Sequence, residues 1–520
     1  MLEARGPVAE PPSRAGPCRM PGVRQRAALV AGTTAIALVV FIAAHLPGPG
    51  GAMNIGDSAK FQILALEPIL VHSPGYPLYE LLASGLRALD LASPAWWQTT
   101  VFLSAVPGAV SVGIAAAIGA RLTGHVGLGA AAAAVLLGAR LMLVQATETE
   151  VYALNLMLTL LVVWALLRFQ QDRRTASWLL ACGFYALAFG HHLMVAMLLP
   201  VFAAFAWGHR DVVLRRWAIL AVLALIALGA SQYAYLYAFA QRPDLFDYGP
   251  FAGPPTLNAF LPYMLGLAFR DLMGVGGLAP GERVDALWLT LRDSIPVMAP
   301  LLAIAGLFAT VYGVIRDRCD AGWRGVALIW VAGLSFVPFY LGYGAYDIRA
   351  FHLPGLALVL VGATAALGLA SRARPRVQAA LVLVLILAGG GHAAWQAAQL
   401  AGRTPAAPGF ASEMRRLLQR VPGEAPIVIT SYDNLMLAQY HAAAGHLPKA
   451  DYRLHWNHSG NLAARERIHI LGLNTWAEHF RDWLARPAQG FTCRRDDLDL
   501  TSPFSSAPKH YVCRKASGES

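Results

Sequence analysis

Residues Ala27–Leu46, AALVAGTTAIALVVFIAAHL, form an apolar run of 20 residues without one Asp, Glu, Lys or Arg. At about 1.5 Å per residue, a helix of this length crosses the ~30 Å hydrocarbon core of a bilayer. A cleaved signal peptide would be followed by a small-residue cleavage site; none stands here, and further apolar runs do, so the run reads as a retained first span. Those further runs are Thr99–Ala120, Val126–Val144, Ala153–Phe169, Ser177–Phe189, Leu193–Trp207, Trp217–Phe239, Ile295–Ile315, Val326–Leu341, Leu353–Ala370 and Val377–Trp395. The chain is therefore expected to be a polytopic α-helical membrane protein with about 11 transmembrane helices.

Composition agrees. Of 520 residues, 57% are hydrophobic and 14% charged, against about a quarter charged in a typical soluble protein. The net charge of +11 fits either nucleic acid binding or arginines gathered in cytoplasmic loops, and their placement decides for the second. With the N-terminus inside, the inner loops hold Arg121; Arg168, Arg173 and Arg174; Arg210, Arg215 and Arg216; Arg316, Arg318 and Arg324; and Arg372, Arg374 and Arg376. The short outer loops are poor in Arg. Nucleic acid is thereby excluded as a partner and the lipid bilayer takes its place. The Ala, Arg and Gly excess fits a GC-rich bacterial genome, hence a bacterial cytoplasmic (inner) membrane.

Three segments are expected: a disordered cytoplasmic leader over 1–26, a transmembrane domain over 27–395, and a C-terminal domain over 396–520 outside the cytoplasm. In the last, APIVITSYDNLMLAQYHAAAG reads as a buried strand, a turn and a helix, and RIHILGLNTWAEHFRDWL repeats that order, so the domain is read as a small α/β unit. The first outer loop, 47–98, holds Ser58–Leu70 and Tyr76–Leu91. Each mixes apolar positions with Lys60, Glu67, Glu80 or Arg87 and is expected to lie on the bilayer surface as an amphipathic helix. Trp96 and Trp97 suit the interface before the second span. Cys493 and Cys513 lie in the outer tail, where they are expected to form a disulfide; Cys18, Cys182 and Cys319 show no C-x-x-C spacing.

The unusual polar residues gather on the outer face. Asp57 follows the first span at a short distance, where a carboxylate meets both bilayer and water; an ordinary loop aspartate is the plain alternative. In HSPGYPLY, Pro74 and Gly75 fix a turn, beside which His72 is either structural or a contact for phosphate or acceptor. ETEVYALN supplies Glu148 and Glu150, with Tyr152 and Asn155 on the helix that follows, and carboxylates at a span's edge are costly. Arg140, near the outer end of the third span, either pairs with these acids or clamps a phosphate with its planar fork. His191 and His192 are adjacent, so on a helix they point about 100° apart and make a poor pair of ligands for one metal; one of them is expected to contact the site. Asp347 and Arg349 are either a local pair or part of the same outer site.

GDSAKFQ, HSPGYPLYELL, ETEVYALN, GHHLMVAMLLP and YDIRAFHLP together resemble the membrane family first described as a domain of unknown function. That family includes the animal transmembrane O-mannosyltransferase acting on plexin-type receptor domains. It is similar in turn to the wider GT-C glycosyltransferases. The resemblance covers Ala27–Ala370; the usual block has two prolines after the His, and Ser73 replaces the first here. It implies a GT-C-like fold and transfer of a sugar, mannose at family level, from a polyprenyl-phosphate-linked donor to a protein hydroxyl or glycan acceptor on the outer face. Asp57 would be the general base of an inverting displacement. His72, Tyr76, Arg140, Glu148, Glu150, Tyr152, His191, His192, Asp347 and Arg349 would bind substrate. The resemblance requires no metal or other cofactor, although some relatives in the wider class use a metal. A transporter or flippase for lipid-linked saccharides is the rival reading. It would place polar residues along a path at the bilayer midplane, whereas here they gather at one edge.

Overall fold

The computed structural model describes residues 21–45, 57–91, 99–242, 254–274, 276–317, 320–401, 414–415, 418–419, 427–429, 432–445, 447, 452–454, 467–472, 481–482, 484–486, 491–496 and 509–515. Met1–Met20 of the expected leader, Trp96, Trp97, Cys18 and Cys319 lie outside the described residues. The first helix begins at Val23, inside the stretch read as leader.

Each of the eleven expected spans is helical. Among the described residues, eight helices are long and apolar enough to cross a membrane: Val23–Ala44, Val101–Thr123, Tyr152–Asp172, Arg216–Ala240, Met298–Arg316, Ala321–Gly342, Leu353–Ala370 and Pro375–Ala401. A ninth is a bent pair, Val126–Gly138 and Arg140–Thr147, which turns by 68° at its break. The remaining two, Thr175–Phe189 and Leu193–Gly208, are shorter apolar helices.

Packing separates an inner set of helices from an outer one. Of their apolar windows, 72% is buried in Val101–Thr123, 78% in Tyr152–Asp172 and 83% in Leu353–Ala370, but only 17% in Val23–Ala44, Arg216–Ala240 and Pro375–Ala401. Helices apolar all round are buried or lipid-facing, so the exposed apolar side chains of the outer set, such as Leu220, Ile226, Leu383 and Leu387, suit hydrocarbon. The break after Gly138 is held from the last long helix. There Gly138 meets Gly389 so closely that a Cβ would lie 2.5 Å from the Gly389 carbonyl oxygen. His392 Nδ1 donates at 2.6 Å to the Gly138 carbonyl, which the bend leaves without a helical partner.

The first outer loop departs from expectation. Its helices run Ser58–Leu66 and Pro77–Ala88. The second keeps the expected two-sided character, with Tyr79, Glu80 and Ala83 buried while Leu81 and Leu82 are exposed. The first is no surface helix: Ser58 to Ala65 are all buried, Lys60 and Gln62 included. It packs between the transmembrane core and the Tyr432–Ala443 helix of the tail. A covering element far away in sequence buries what its polar residues had marked as a wet face.

In the tail, β1 (Ile427–Ile429), β2 (Tyr452–Leu454), β3 (Arg467–Gly472), β4 (Phe491–Asp496) and β5 (Lys509–Lys515) form one sheet in the order β2-β1-β3-β5-β4. β1 runs parallel to β2 and β3, and β5 antiparallel to β3 and β4. The expected strand and helix of the first α/β repeat are present, as is the strand of the second; Leu473–Phe480 after it lies outside the described residues. Cys493 and Cys513 stand opposite each other on β4 and β5 and are disulfide-bonded. Cys182 is buried and reduced.

Candidate active site

Asp57 caps the start of the Ser58–Leu66 helix without a side-chain capping bond. Its carboxylate turns to other groups. Asp57 Oδ1 lies 2.7 Å from Lys60 Nζ, one helical turn on, and Oδ2 lies 3.5 Å from His72 Nε2. Lys60 Nζ in turn donates to His72 Nδ1 at 2.6 Å. The helix is pinned from below by Gln62, whose amide donates to Thr100 Oγ1 at 2.9 Å and to the Thr149 hydroxyl.

His72 is carried by the HSPGY turn, which residues far along the chain hold in shape. Tyr263 Oη donates to the Val71 carbonyl at 2.7 Å, and the Ser73 hydroxyl donates to the Tyr263 carbonyl. Gly75 adopts φ +94°, where a Cβ would lie 2.5 Å from both Leu236 and the Tyr263 hydroxyl, so the turn requires glycine on both conformation and space. Tyr76 is left-handed at φ 47° and sends its hydroxyl to 3.2 Å from His72 Nε2. The His72 ring meets Tyr76 and Phe269 edge-on, with centroids 5.4 and 5.8 Å away. Burial and the Lys60 ammonium lower its pKa to about 4 against the pull of Asp57, so His72 is neutral at pH 7.

Two more carboxylates converge on this group. Glu150 is buried and accepts from the Val151 N–H at 3.4 Å, while its backbone N–H donates to Ser104 Oγ at 3.2 Å. Burial, with Asp57, Glu148 and Asp347 nearby, holds its carboxyl well above the usual range. The charge of Glu150 raises the proton affinity of Tyr76 and Tyr79, so its carboxyl stands near the cluster. Glu148 is half-buried at the end of the Arg140–Thr147 helix. Asp347 likewise binds its proton more tightly, through burial and the charge of Asp57. Tyr152 Oη donates toward Asp347 Oδ2 at 3.5 Å.

The two histidines divide their work. His191 Nε2 donates to the Val151 carbonyl at 2.8 Å and its ring stacks on Tyr79, so it fixes the turn that carries Glu150. His192 accepts the Met194 N–H on Nδ1 at 3.1 Å, and its ring lies 5.6 Å from Tyr76, 6.2 Å from Tyr152 and 5.7 Å from Phe351. Burial lowers their pKa values to about 4 and about 3. The Leu78 N–H donates to the Gly190 carbonyl at 2.8 Å, tying this turn to the first loop.

For two residues one of the two alternatives read from the sequence falls away. Arg140 does not pair with Glu148 or Glu150. It is exposed at the first position of the helix after the 68° break and has no hydrogen bond or ion pair among the described residues. Eight residues of helix put about 12 Å between the two ends. Asp347 and Arg349 are no local pair either: Arg349 turns away to Asp293 Oδ2 at 2.9 Å and Thr290 Oγ1 at 3.3 Å, because at the short helix Ile348–Phe351 side chains two positions apart point to opposite sides. The reading from sequence missed Lys60 as a member of the cluster, taking it for the polar side of a surface helix. The i, i+3 spacing of Asp57 and Lys60 was its available signal.

Asp57 is also where a family match begins. Residues 57–212 match the family described as the protein O-mannosyl-transferase TMEM260 N-terminal domain. The matched span takes in Lys60, His72, Tyr76, Glu150, Tyr152, His191 and His192 and is narrower than Ala27–Ala370, over which the sequence resemblance was drawn. Solved structures extend the likeness in fold. ArnT from Cupriavidus metallidurans bound to undecaprenyl phosphate gives a TM-score of 0.59 at 12% identity, covering 93% of this chain and 97% of that one. The same protein in the apo state gives 0.56 at 12% identity, over 94% and 98%. Arabinofuranosyltransferase AftD from Mycobacteria gives 0.51 at 15% identity, over 95% of this chain and 40% of that one. Among curated proteins no sequence matches. The chain shares its membrane fold with ArnT, and over residues 57–212 the resemblance read from its motifs is matched by the TMEM260 N-terminal domain family.

Proposed function

We propose that the chain is a membrane glycosyltransferase that transfers a sugar from a polyprenyl-phosphate donor to a hydroxyl acceptor at the outer face of a bacterial inner membrane. The observation that carries this reading is the convergence of Asp57, His72, Tyr76, Glu150, Tyr152 and Asp347 within a fold shared with ArnT. The undecaprenyl phosphate bound to that enzyme supports a polyprenyl-phosphate donor, and the TMEM260-type match supports mannose as the sugar.

In this mechanism Asp57 accepts the proton of the acceptor hydroxyl as its oxygen attacks the anomeric carbon. The bond from that carbon to the phosphate oxygen breaks, its electron pair leaves with the polyprenyl phosphate, and the anomeric centre inverts. One carboxylate suffices because a phosphate leaving group needs little protonation, unlike the two-carboxylate arrangement of glycoside hydrolysis. Glu150, whose burial makes it bind its proton more tightly, and Asp347, beside Tyr152, hydrogen-bond the sugar or acceptor hydroxyls. Arg140 neutralises the lipid phosphate: an exposed guanidinium at a broken apolar helix calls for an anionic or aqueous partner. The disulfide in the tail supports an oxidising compartment, and the arginines of the opposite loops support the orientation. Protein hydroxyls and glycans both suit the outer tail as acceptors. Membranes containing the chain, supplied with radiolabelled polyprenyl-phosphate mannose, should label an acceptor; no label from any polyprenyl-phosphate sugar would remove the proposal.

A further inference from the structure

Lys60 is a buried lysine, 6% exposed, placed between an acid and a histidine. An ammonium has three donors and no acceptor. Its 2.6 Å contact with His72 Nδ1 therefore makes that nitrogen the acceptor, and the ring's hydrogen sits on Nε2. That hydrogen faces Tyr76 Oη at 3.2 Å and Asp57 Oδ2 at 3.5 Å. We propose that Lys60 is a positioning residue, which holds His72 as the neutral Nε2–H tautomer beside Asp57.

The consequence is chemical. A protonated His72 would form a second ion pair with Asp57 and weaken it as a base. A neutral His72 offers one hydrogen-bond donor and no charge. The groups facing the ring are Asp57, Lys60 and Phe61 on the first-loop helix side, Tyr76 at the start of the next helix, Phe269 from the Leu267–Leu272 turn, and His192, which feels its charge. Among these the Lys60 ammonium disfavours the imidazolium and the Asp57 carboxylate favours it, with burial on the side of Lys60. Removing Lys60 leaves Asp57 to raise the proton affinity of His72. The significance for catalysis rests on the proposed transfer reaction; the tautomer does not.

The test uses the full chain in nanodiscs, labelled with 15N-histidine, with His72→Gln to assign the His72 signals. Wild type should show a neutral His72 with hydrogen on Nε2 at about pH 6, and Lys60→Met should raise its titration midpoint by roughly one unit or more. Lys60→Gln, which keeps a polar side chain without the charge, should do the same, and Lys60→Arg should restore the wild-type spectrum. In transfer assays the acid limb of the pH profile should move up in Lys60→Met and move back in Lys60→Met/His72→Gln. A His72 already protonated at that pH in wild type, or a midpoint unmoved in Lys60→Met, would overturn the proposal. So would a loss of activity in Lys60→Met that is uniform across pH. Absence of transfer by wild type would count against the reaction and leave the spectroscopic result standing.

Discussion

The Tyr152 hydroxyl faces Asp347 Oδ2 at 3.5 Å, joining residues 195 positions apart. The contact links the start of a buried transmembrane helix to the turn before the Leu353–Ala370 helix, and Asp347 meets Tyr152 while Arg349 pairs with Asp293. Asp347→Asn should lower transfer about tenfold or more, as expected when a charged hydrogen-bonding group is lost from a desolvated site. Tyr152→Phe should cost less, and Arg349→Gln less still. Initial rates at saturating acceptor would rank the three.

How far was this legible in the sequence? The spans were, because runs such as Ala27–Leu46 carry their own length and polarity. So was the gathering of Asp57, His72, Glu150 and Asp347 on one side, since alternating loops sort residues by face. What lay hidden depends on contacts between distant segments. The burial of Ser58–Ala65 comes from the tail helix Tyr432–Ala443. The departure of Arg349 comes from Asp293, and the turn that buries Glu150 is fixed by His191 and Ser104. Periodicity in one segment holds no record of its cover.

Glu150 supplies a prediction about stability. Its carboxyl binds a proton more tightly in the folded chain than in the unfolded one. Its contribution is therefore fully present below the unfolded value of about 4.5 and is lost as pH rises through the folded value. Glu150→Gln mimics the protonated form, so its thermal midpoint should equal that of wild type near pH 4.5 and exceed it increasingly toward pH 8. A difference that is constant with pH would contradict the assignment.

Arg140 should act on the donor alone. Arg140→Ala is expected to lower kcat/KM for the polyprenyl-phosphate sugar about tenfold, with kcat falling as well as KM rising, since the phosphate gains negative charge as the sugar leaves it. Stability should stay within about 0.5 kcal/mol of wild type, as the side chain is exposed.

The tail disulfide gives a test of compartment. Cys493 and Cys513 close a loop with a sequence separation of 20, which corresponds to about 3 kcal/mol in the chain-entropy account. Chain isolated from bacterial membranes should resist thiol alkylation at both positions until reduced, and Cys493→Ser should lower the unfolding midpoint of the tail. Free thiols at both positions in freshly isolated membranes would place the tail in the cytoplasm.

The central claim is that Asp57 is the base of a sugar transfer. The most direct measurement compares wild type with Asp57→Asn, at equal expression and equal thermal stability, for transfer from radiolabelled polyprenyl-phosphate sugars to endogenous acceptors. The account predicts transfer by wild type and a loss of about 10²–10⁴-fold in the variant, the usual range for a general base. Equal transfer by both proteins would contradict it.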